Sequence, residues 1–256
     1  MSETSAAQVS AAGAARPAVI ADDLHVKYRV FATGRRNKSG RVIKPGPGTA
    51  IVHALRGVSF VVNEGESVGI IGHNGSGKST LMKAIAGLVP ASQGAVYASD
   101  EPSLLGVGAA LMGQLSGEKN ITLGTLALGL TPAESKQVFP EVARLSGIEE
   151  FLGYPMRTYS SGMTARLKFA IAMAKTHSIL LIDEALAVGD KSFKQRSEER
   201  IRQLKAEAGT VFLVSHSMRS VLDTCERVIW IDHGLVHMDG PAAEVVAAYR
   251  DSTREL

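Results

Sequence analysis

The sequence predicts an α/β protein with a mostly parallel core sheet, an N-terminal antiparallel β-layer and an inserted α-helical subdomain. Apolar runs typical of buried strands alternate with helical patterns in the second half of the chain, which is the order that builds a parallel sheet. Partly alternating strand patterns come before the first buried strand, and a long helical region separates that strand from the next. No run approaches the ~18 consecutive apolar residues of a transmembrane helix, so none is predicted.

The N-terminal part is predicted to form a tail and then the small β-layer. Met1 to Pro17 is rich in Ala and Ser and lacks the basic head and apolar centre of a secretory signal, so it is predicted to be a disordered tail. Ala18 to Phe31 and Ile51 to Val62 have strand character. Ala32 to Thr49, between them, is predicted to be a loop because it is rich in Gly, Pro, Arg and Lys.

Charge is spread unevenly along the chain. The formal net charge is +3, yet no acidic residue occurs between Asp23 and Glu64. The basic residues of this interval are Lys27, Arg29, Arg35, Arg36, Lys38, Arg41, Lys44 and Arg56. A solvated basic surface accounts for most of them, and a surface facing anionic lipid head groups or a pyrophosphate-bearing substrate is the sharper alternative. Nucleic acid is the weaker alternative and is not expected as a partner, because the basic residues from Arg35 to Lys44 have no aromatic residues among them to stack on bases.

A glycine-rich loop follows the first buried strand, Val68 to Ile71, and a helical pattern resumes directly after it. The loop consists of Gly72, His73, Asn74, Gly75, Ser76, Gly77, Lys78, Ser79 and Thr80. This is the G-x-x-x-x-G-K-[ST] pattern in a strand–loop–helix context, where backbone N–H groups and a helix N-terminus surround an anion. Lys78 is predicted to contact the β- and γ-phosphates and Ser79 to bind Mg²⁺, whereas a chance glycine-rich turn would leave both unexplained. The sequence therefore predicts a nucleoside triphosphate site.

A helical region is predicted from about Asn120 to Thr176. Within it, Thr131 to Glu134 has the pattern of a capping box with proline at the first helical position. A second candidate anion site, immediately before a helical pattern, consists of Tyr159, Ser160, Ser161, Gly162 and Met163. Serines that only cap a helix are common, but hydroxyl groups at a helix N-terminus also bind anions. Because one nucleotide does not need two γ-phosphate sites, this one is expected to serve the nucleotide of a neighbouring chain.

Two later strands end in residues suited to phosphate hydrolysis. The run Ile179 to Ile182 is followed by Asp183 and Glu184, so Asp183 is predicted to hold Mg²⁺ and Glu184 to polarise the attacking water. His216 closely follows the run Val211 to Val214, where it can hydrogen-bond the γ-phosphate. A solvated acidic turn and a plain surface histidine are the alternatives. The phosphate loop upstream favours a site at these strand ends.

The C-terminal part contributes further elements. Phe193 to Ala208 is predicted to be an amphipathic, highly charged helix, and Arg227 to Ile231 a strand. Gly240-Pro241 is predicted to introduce a last helix, Ala242 to Tyr249. Cys225 is the single cysteine, so the chain forms no internal disulfide.

In their order along the chain, these segments resemble the ATP-binding-cassette (ABC) ATPases, a group of P-loop NTPases. The matching segments are Gly72–Thr80 (Walker A), Tyr159–Met163 (signature, with Tyr, Ser and Met where Leu, Gly and Gln are commoner), Leu180–Glu184 (Walker B with its catalytic glutamate), Ala187–Asp190 (D-loop) and His216 (switch histidine). The resemblance runs from about Ala18 to Tyr249. It implies a nucleotide-binding domain over residues 18–256, with 115–176 as its helical signature subdomain, and ATP and Mg²⁺ as cofactors.

A narrower resemblance is to the ABC ATPase subunits that export lipid-linked polysaccharides such as O-antigen, teichoic acid and actinobacterial galactan. It is carried by TYSSGM, LLIDEALAVGD, FLVSH and CERVIWIDHG, and by the long insertion before Ala54-Leu55. By this resemblance Tyr28 stacks on adenine. The resemblance also implies a peripheral protein on the cytoplasmic face of the cell membrane, which works with an integral membrane permease on a lipid-linked glycan.

The ABC resemblance further implies a head-to-tail homodimer of cassettes. Each ATP would be held by Lys78, Ser79 and Asp183 of one chain and by the signature segment Ser160–Gly162 of the other. Three alternatives stay open at this point: the ATPase of another membrane transporter, a soluble cassette protein of translation or DNA repair, and a P-loop kinase. The soluble proteins usually carry two cassettes or a long coiled-coil insertion, and a kinase would need an acceptor-binding lid.

Overall fold

A computed structural model describes residues 15–36, 42–105, 111–175, 177–183, 193, 197, 199–200, 209–215 and 217–254, with the backbone alone for 30–36, 42–50 and 254. Several predictions therefore lie outside the described residues. They concern the tail up to residue 14, the D-loop segment 187–190, most of the helix Phe193–Ala208, and the side chains of Glu184 and His216.

The described residues form nine strands in two sheets. The strands are β1 (Pro17–Arg36), β2 (Val42–Asn63), β3 (Ser67–Ile71), β4 (Gln93–Ala98), β5 (Ser103–Leu104), β6 (Ile179–Asp183), β7 (Thr210–Val214), β8 (Arg227–Asp232) and β9 (Leu235–Pro241). The core sheet has the order β5-β6-β7-β3-β8-β9, and its pairs are parallel except for the β8–β9 hairpin. The predicted mostly parallel sheet is confirmed. Because β3, β6 and β7 run in the same direction, their carboxyl ends meet at one edge, where α/β sheets bind ligands.

The second sheet is the antiparallel N-terminal layer, in the order β2-β1-β4. The prediction of a loop from Ala32 to Thr49 is wrong for most of its length. β1 continues to Arg36 and β2 begins at Val42, and the two strands pair, with several register shifts, out to Arg36 opposite Val42. Gly and Pro concealed the strand pattern. Pro is tolerated here because β2 is an edge strand, so a missing N–H need not remove a bond within the sheet.

Six α-helices complete the described part of the chain. They are α1 (Lys78–Ile85), α2 (Gly117–Ala127), α3 (Pro132–Ser146), α4 (Ser161–Ala172), α5 (Met218–Thr224) and α6 (Ala242–Arg254), with short 3₁₀ helices at Glu149–Phe151 and Met156–Thr158. The capping box at the start of α3 is confirmed, because the Thr131 hydroxyl accepts from the Glu134 N–H and the Glu134 carboxylate accepts from the Thr131 N–H. Those backbone and side-chain bonds from Thr131 lower the pKa of Glu134.

The hydrophobic core lies on both faces of the core sheet, as the alternation along β8 illustrates. Ile229 and Ile231 pack with β1, β2 and α1, whereas Val228 and Trp230 pack with the end of α4 and with α6. Alternate residues of a strand point to opposite faces, so a sheet covered on both sides has continuous apolar strands. A third apolar cluster lies within α2, α3 and α4 and the segments that join them.

Three elements differ from the prediction near the site or at the C-terminus. The helical pattern of the sequence predicts α1 up to Val89, before Pro90, but the helix ends at Ile85, because Gly87 adopts a positive φ of 68° that reverses the chain. β9 was not predicted, since its residues alternate between half-buried and exposed and lack an apolar run. α5, which has seven residues, was also missed. The single cysteine, Cys225, is buried and forms no disulfide within the chain.

Arg227 joins three parts of the fold at the start of β8. Its Nε and Nη2 each donate to the Asp239 carboxylate of β9 at 2.7 Å, and its Nη1 donates to the Val61 carbonyl of β2 at 2.8 Å and to Glu66 at 3.1 Å. The hydrogen bond to Asp239 is the main cause that raises the pKa of Arg227 above its ordinary value. A bidentate arginine–carboxylate pair holds a fixed geometry, so Arg227 ties the N-terminal sheet to the core sheet.

Replacing Arg227 with Met should lower the free energy of unfolding by about 2 kcal/mol, because charge-assisted bonds are lost while the Val61 carbonyl loses its side-chain donor. Urea unfolding followed by circular dichroism measures this change. The matched control is Arg250→Met on an exposed position of α6, expected to stay within about 0.5 kcal/mol of the wild type. Equal unfolding midpoints for the two variants would contradict a structural role for Arg227.

Candidate nucleotide site

An open cavity of about 810 Å³ lies where the phosphate loop meets the N-terminal sheet and the ends of β6 and β7. Its lining residues are Tyr28, Val52, His53, Ala54, Arg56, Asn74, Gly75, Gly77, Lys78, Ser79, Thr80, Asp183, Val214 and His233. Its volume lies within the range of small-molecule sites. Eight of the residues predicted from sequence to bind a nucleotide or its metal line this cavity.

Lys78 lies at the first position of α1, with 8% of its surface exposed. Its ammonium group donates to the Gly72 carbonyl at 2.7 Å and to the His73 carbonyl at 2.8 Å. The loop thus curls back over Lys78, and the two carbonyl groups hold the ammonium charge in place at the cavity. A nearly buried ammonium group needs such oxygen partners, and an anion in the cavity supplies further ones.

Two glycines allow the loop to pack tightly against neighbouring strands. Gly77 has a φ of 114°, and a Cβ there would lie 2.7 Å from the Ala54 carbonyl oxygen of β2. Gly72 has a φ of 146°, and a Cβ there would lie 2.1 Å from the Ile231 carbonyl oxygen of β8. Both φ values are rare for residues with a side chain, so glycine is required on two grounds at each position.

Three predicted loop residues lie beside the cavity rather than lining it: Gly72, His73 and Ser76. Ser76 is buried, and its carbonyl accepts a hydrogen bond at 2.8 Å from the N–H of Gly234 in the β8–β9 turn. The exposed His73 ring lies 5.4 Å from the Tyr249 ring of α6. Burial, with a contribution from Asp232, raises the pKa of Tyr249. These residues support the loop from behind.

The residues predicted to bind a metal fit Mg²⁺ in their chemistry. Ser79 and Asp183 line the same cavity, and they offer a hydroxyl oxygen and a carboxylate oxygen. Mg²⁺ prefers oxygen ligands and is commonly held by one or two carboxylates together with substrate phosphates and water. No group of three His, Cys, Asp or Glu side chains that could bind a metal by themselves occurs in the described part of the chain. Such a group is not needed for Mg²⁺ on a nucleotide.

Tyr28 of β1 lines the cavity on the side formed by the N-terminal sheet. It is half-buried, and its hydroxyl lies 3.5 Å from Oγ1 of Thr80, which places the phenol ring close to the start of α1. An aromatic face at the edge of an open cavity suits stacking on a planar base. The position of Tyr28 is therefore consistent with the predicted stacking on adenine.

The second predicted anion site lies elsewhere on the chain. Ser160 caps α4, because its hydroxyl accepts a hydrogen bond from the Met163 N–H at 3.1 Å. Ser160 and Ser161 are exposed, and neither they nor Gly162 line the cavity. The cap uses the Ser160 hydroxyl internally, while the Ser161 hydroxyl lies at an exposed helix N-terminus, where the helix dipole favours anions.

Several cavity residues were missed by sequence reasoning. Val52, His53, Ala54 and Arg56 come from β2, and His233 comes from the β8–β9 turn, where it has a φ of 45°. Only for His233 was a local signal present, because the Asp-His-Gly sequence after a buried strand is typical of a tight turn. The β2 residues carry no motif. They reach the site through the pairing of β1 with β2, which places Val52 opposite Tyr28.

Several known proteins are similar to this chain in sequence. A family described as ABC transporter matches residues 55–187. The teichoic acids export ATP-binding protein TagH of Listeria monocytogenes serotype 4b is 41% identical over 196 residues, which cover 77% of this chain and 58% of that protein. TagH of Staphylococcus epidermidis is 37% identical over 231 residues, covering 89% of this chain and 86% of the relative. The O-antigen export system ATP-binding protein RfbB of Myxococcus xanthus is 41% identical over 204 residues, 79% of this chain and 47% of RfbB.

Solved structures agree with the fold. A structure described as the ATP binding subunit of an ABC transporter has a TM-score of 0.70 at 24% identity, with 90% of this chain and 92% of that chain covered. A dimeric ATP-binding cassette in a post-hydrolysis state, bound to ADP and Pi, has a TM-score of 0.69 at 21% identity, covering 88% of this chain and 98% of that chain. The predicted cassette fold is confirmed. The chain spans only 58% of the Listeria relative's length.

Proposed function

The chain belongs to the ABC transporter family, and we propose that it is the ATP-hydrolysing subunit of a transporter that exports a lipid-linked polysaccharide. The observation that carries ATP binding is the convergence of Lys78, Ser79 and Asp183 on one cavity beneath Tyr28. Relatives named for teichoic acid and O-antigen export support the class of transported substrate.

ATP would enter with its base against Tyr28 and its phosphates within the loop. Backbone N–H groups of the loop and the N-terminus of α1 then face the β- and γ-phosphates, and the Lys78 ammonium adds a fixed positive charge. Ser79 and Asp183 would hold Mg²⁺, which would supply positive charge next to the phosphates.

Hydrolysis needs a positioned water and a base. Glu184, directly after Asp183 in the sequence, accepts a proton as the water oxygen bonds to the γ-phosphorus and the bond to the bridging oxygen breaks, giving ADP and phosphate. His216 follows β7, the strand beside β6, and hydrogen-bonds the γ-phosphate. Both assignments rest on sequence position and on the parallel pairing of β6 with β7.

The second half of each site comes from another copy of the chain. The exposed N-terminus of α4, with Ser160, Ser161 and Gly162, lies in the helical subdomain (115–176) of a cassette that spans 18–256, and it contacts the γ-phosphate bound by the neighbouring cassette. Two cassettes related by a twofold axis then enclose two ATP molecules. Closing on ATP and opening after hydrolysis changes the conformation of a membrane partner.

That partner is an integral membrane permease, and the chain acts at the cytoplasmic face of the cell membrane. Among the described residues no helix is both long and apolar enough to cross a membrane. In this proposal the permease provides the membrane path for the glycan. The lipid-linked glycan is its substrate.

The test is the pool of lipid-linked glycan in cells of the organism that encodes the chain, after Glu184→Gln replaces the wild-type copy. We expect a polyprenyl-pyrophosphate-linked polymer to accumulate on the cytoplasmic side, because transport stops while synthesis continues. The matched control, Glu101→Gln, removes an exposed carboxylate outside the cavity and should leave the pool unchanged. An unchanged pool in cells that contain folded Glu184→Gln protein would contradict polysaccharide export but leave ATP hydrolysis standing.

A further inference from the structure

The hairpin of β1 and β2 extends well beyond the N-terminal sheet. β4 pairs with β1 only from Val19 to His25, whereas β2 accompanies β1 as far as Arg36. We define the basic ribbon as residues 27–36 of β1 and 42–53 of β2. At about 3.3 Å per residue, its ten-residue β1 strand spans roughly 30 Å. In the described structure this length of β1 is paired on one side only.

Charge is segregated onto this ribbon and the residues around it. Eight of the chain's 28 Lys and Arg residues, and none of its 25 Asp and Glu residues, lie between Asp23 and Glu64. The rest of the chain therefore has 20 basic and 25 acidic side chains and is net negative. Charged residues of either sign, placed on an exposed strand edge, protect the strand from aggregation. The use of a single sign in a chain that is otherwise acidic indicates an anionic partner.

The base of the ribbon shows how these residues are presented. Lys27 and Arg29 are exposed, and none of the ion pairs among the described side chains involves either of them. Ile51, which pairs with Arg29, is 65% exposed. Basic side chains beside an exposed apolar one are typical of protein surfaces that lie at the head groups of a bilayer.

At the far end of the ribbon, the backbone pairing sets one basic residue against another. Arg35 is directly opposite Lys44 across the two strands. Like charges at directly opposite positions destabilise a strand pair, and an isolated two-stranded ribbon is only marginally stable in water. An anionic surface that neutralises both charges removes this repulsion, so binding and ordering of the ribbon favour each other.

We propose that the basic ribbon is a docking surface for the head groups of anionic phospholipids at a membrane surface. A protein strand adding to the ribbon's β2 edge is disfavoured, because Pro45 and Pro47 lack the N–H groups that such pairing needs. A membrane needs no backbone pairing. Each basic residue near an anionic membrane adds to its binding free energy, so several of them act together. The proposal does not depend on the transported substrate.

The test is co-sedimentation of the full chain with vesicles of phosphatidylcholine alone or mixed with phosphatidylglycerol. The ribbon variant carries Arg29→Gln, Arg35→Gln, Arg36→Gln and Lys44→Gln. The matched control removes four exposed positive charges from the helical region, through Lys119→Gln, Lys136→Gln, Arg144→Gln and Arg157→Gln. Thermal melting with and without ATP, measured on each variant, checks that the protein is folded and that the nucleotide cavity is intact.

We expect the wild type to bind the mixed vesicles and not the neutral ones, with binding weakened as salt is added. The ribbon variant should bind the mixed vesicles at least ~100-fold more weakly, whereas the control should stay within about threefold of the wild type. Equal losses in the two variants would show that net charge alone attracts the protein, and would overturn the proposal. Absence of wild-type binding to the mixed vesicles would also overturn it.

Discussion

Glu184→Gln should retain ATP binding, lose at least ~100-fold in ATP turnover and accumulate as an ATP-dependent dimer. The amide keeps the size and polarity of the side chain but cannot accept a proton from the attacking water. The nucleotide that normally leaves after hydrolysis then stays between the two chains. Gel filtration with and without ATP measures the dimer, and release of phosphate measures turnover.

The composite site is tested by adding a second substitution to this variant. Ser161→Arg places a bulky cation at the exposed N-terminus of α4. The helix dipole disfavours a cation there, and the larger side chain occupies the space proposed for the neighbouring chain's ATP. The double variant should stay monomeric with ATP. Gln137→Arg, at an exposed position of α3, is the matched control and should leave the dimer intact. A Glu184→Gln protein that elutes only as a monomer with ATP would contradict the proposal that two chains share each nucleotide.

Lys78→Met should weaken ATP binding by about 100-fold, which corresponds to the loss of one or two charge-assisted hydrogen bonds to phosphate. The methionine has an unbranched side chain of similar length but carries no charge and no N–H donor. The Gly72 and His73 carbonyls lose the donor that now orients the loop. Titration calorimetry with ATP and Mg²⁺ measures the affinity, and ATP hydrolysis should fall with it.

The control for this change lies on the same helix. Lys83→Met removes the same charge from an exposed position in the last turn of α1, outside the cavity. Its cost is limited to a weak interaction with the helix dipole, so ATP affinity should stay within about threefold of the wild type. Similar losses of ATP affinity in the two variants would indicate that only the total positive charge near the site affects ATP binding. The assignment of Lys78 as a direct phosphate ligand would then be wrong.

The phosphate loop and the buried strands were determined by the sequence alone. The phosphate loop is built from consecutive residues. Its backbone geometry follows from the glycines Gly72 and Gly77 and from the helix that begins at Lys78. The strands β3, β6 and β7 are apolar because both of their faces are covered, so each is recognisable without knowledge of its neighbours. These patterns are local in sequence, although the glycines at Gly72 and Gly77 also leave room for Ile231 and Ala54 of neighbouring strands.

Only the tertiary structure decided how far β1 and β2 pair and which residues close the cavity. Backbone hydrogen bonds between strands do not depend on side-chain type, so the Gly and Pro residues around Pro45 and Pro47 hid the paired ribbon from a sequence pattern. The cavity wall from β2 and the β8–β9 turn approaches the phosphate loop at Gly77, through the Ala54 carbonyl, and at Ser76, through the Gly234 N–H, and these segments are distant from each other in sequence. Contacts between segments so far apart depend on the packing of two sheets, and no local pattern encodes that packing.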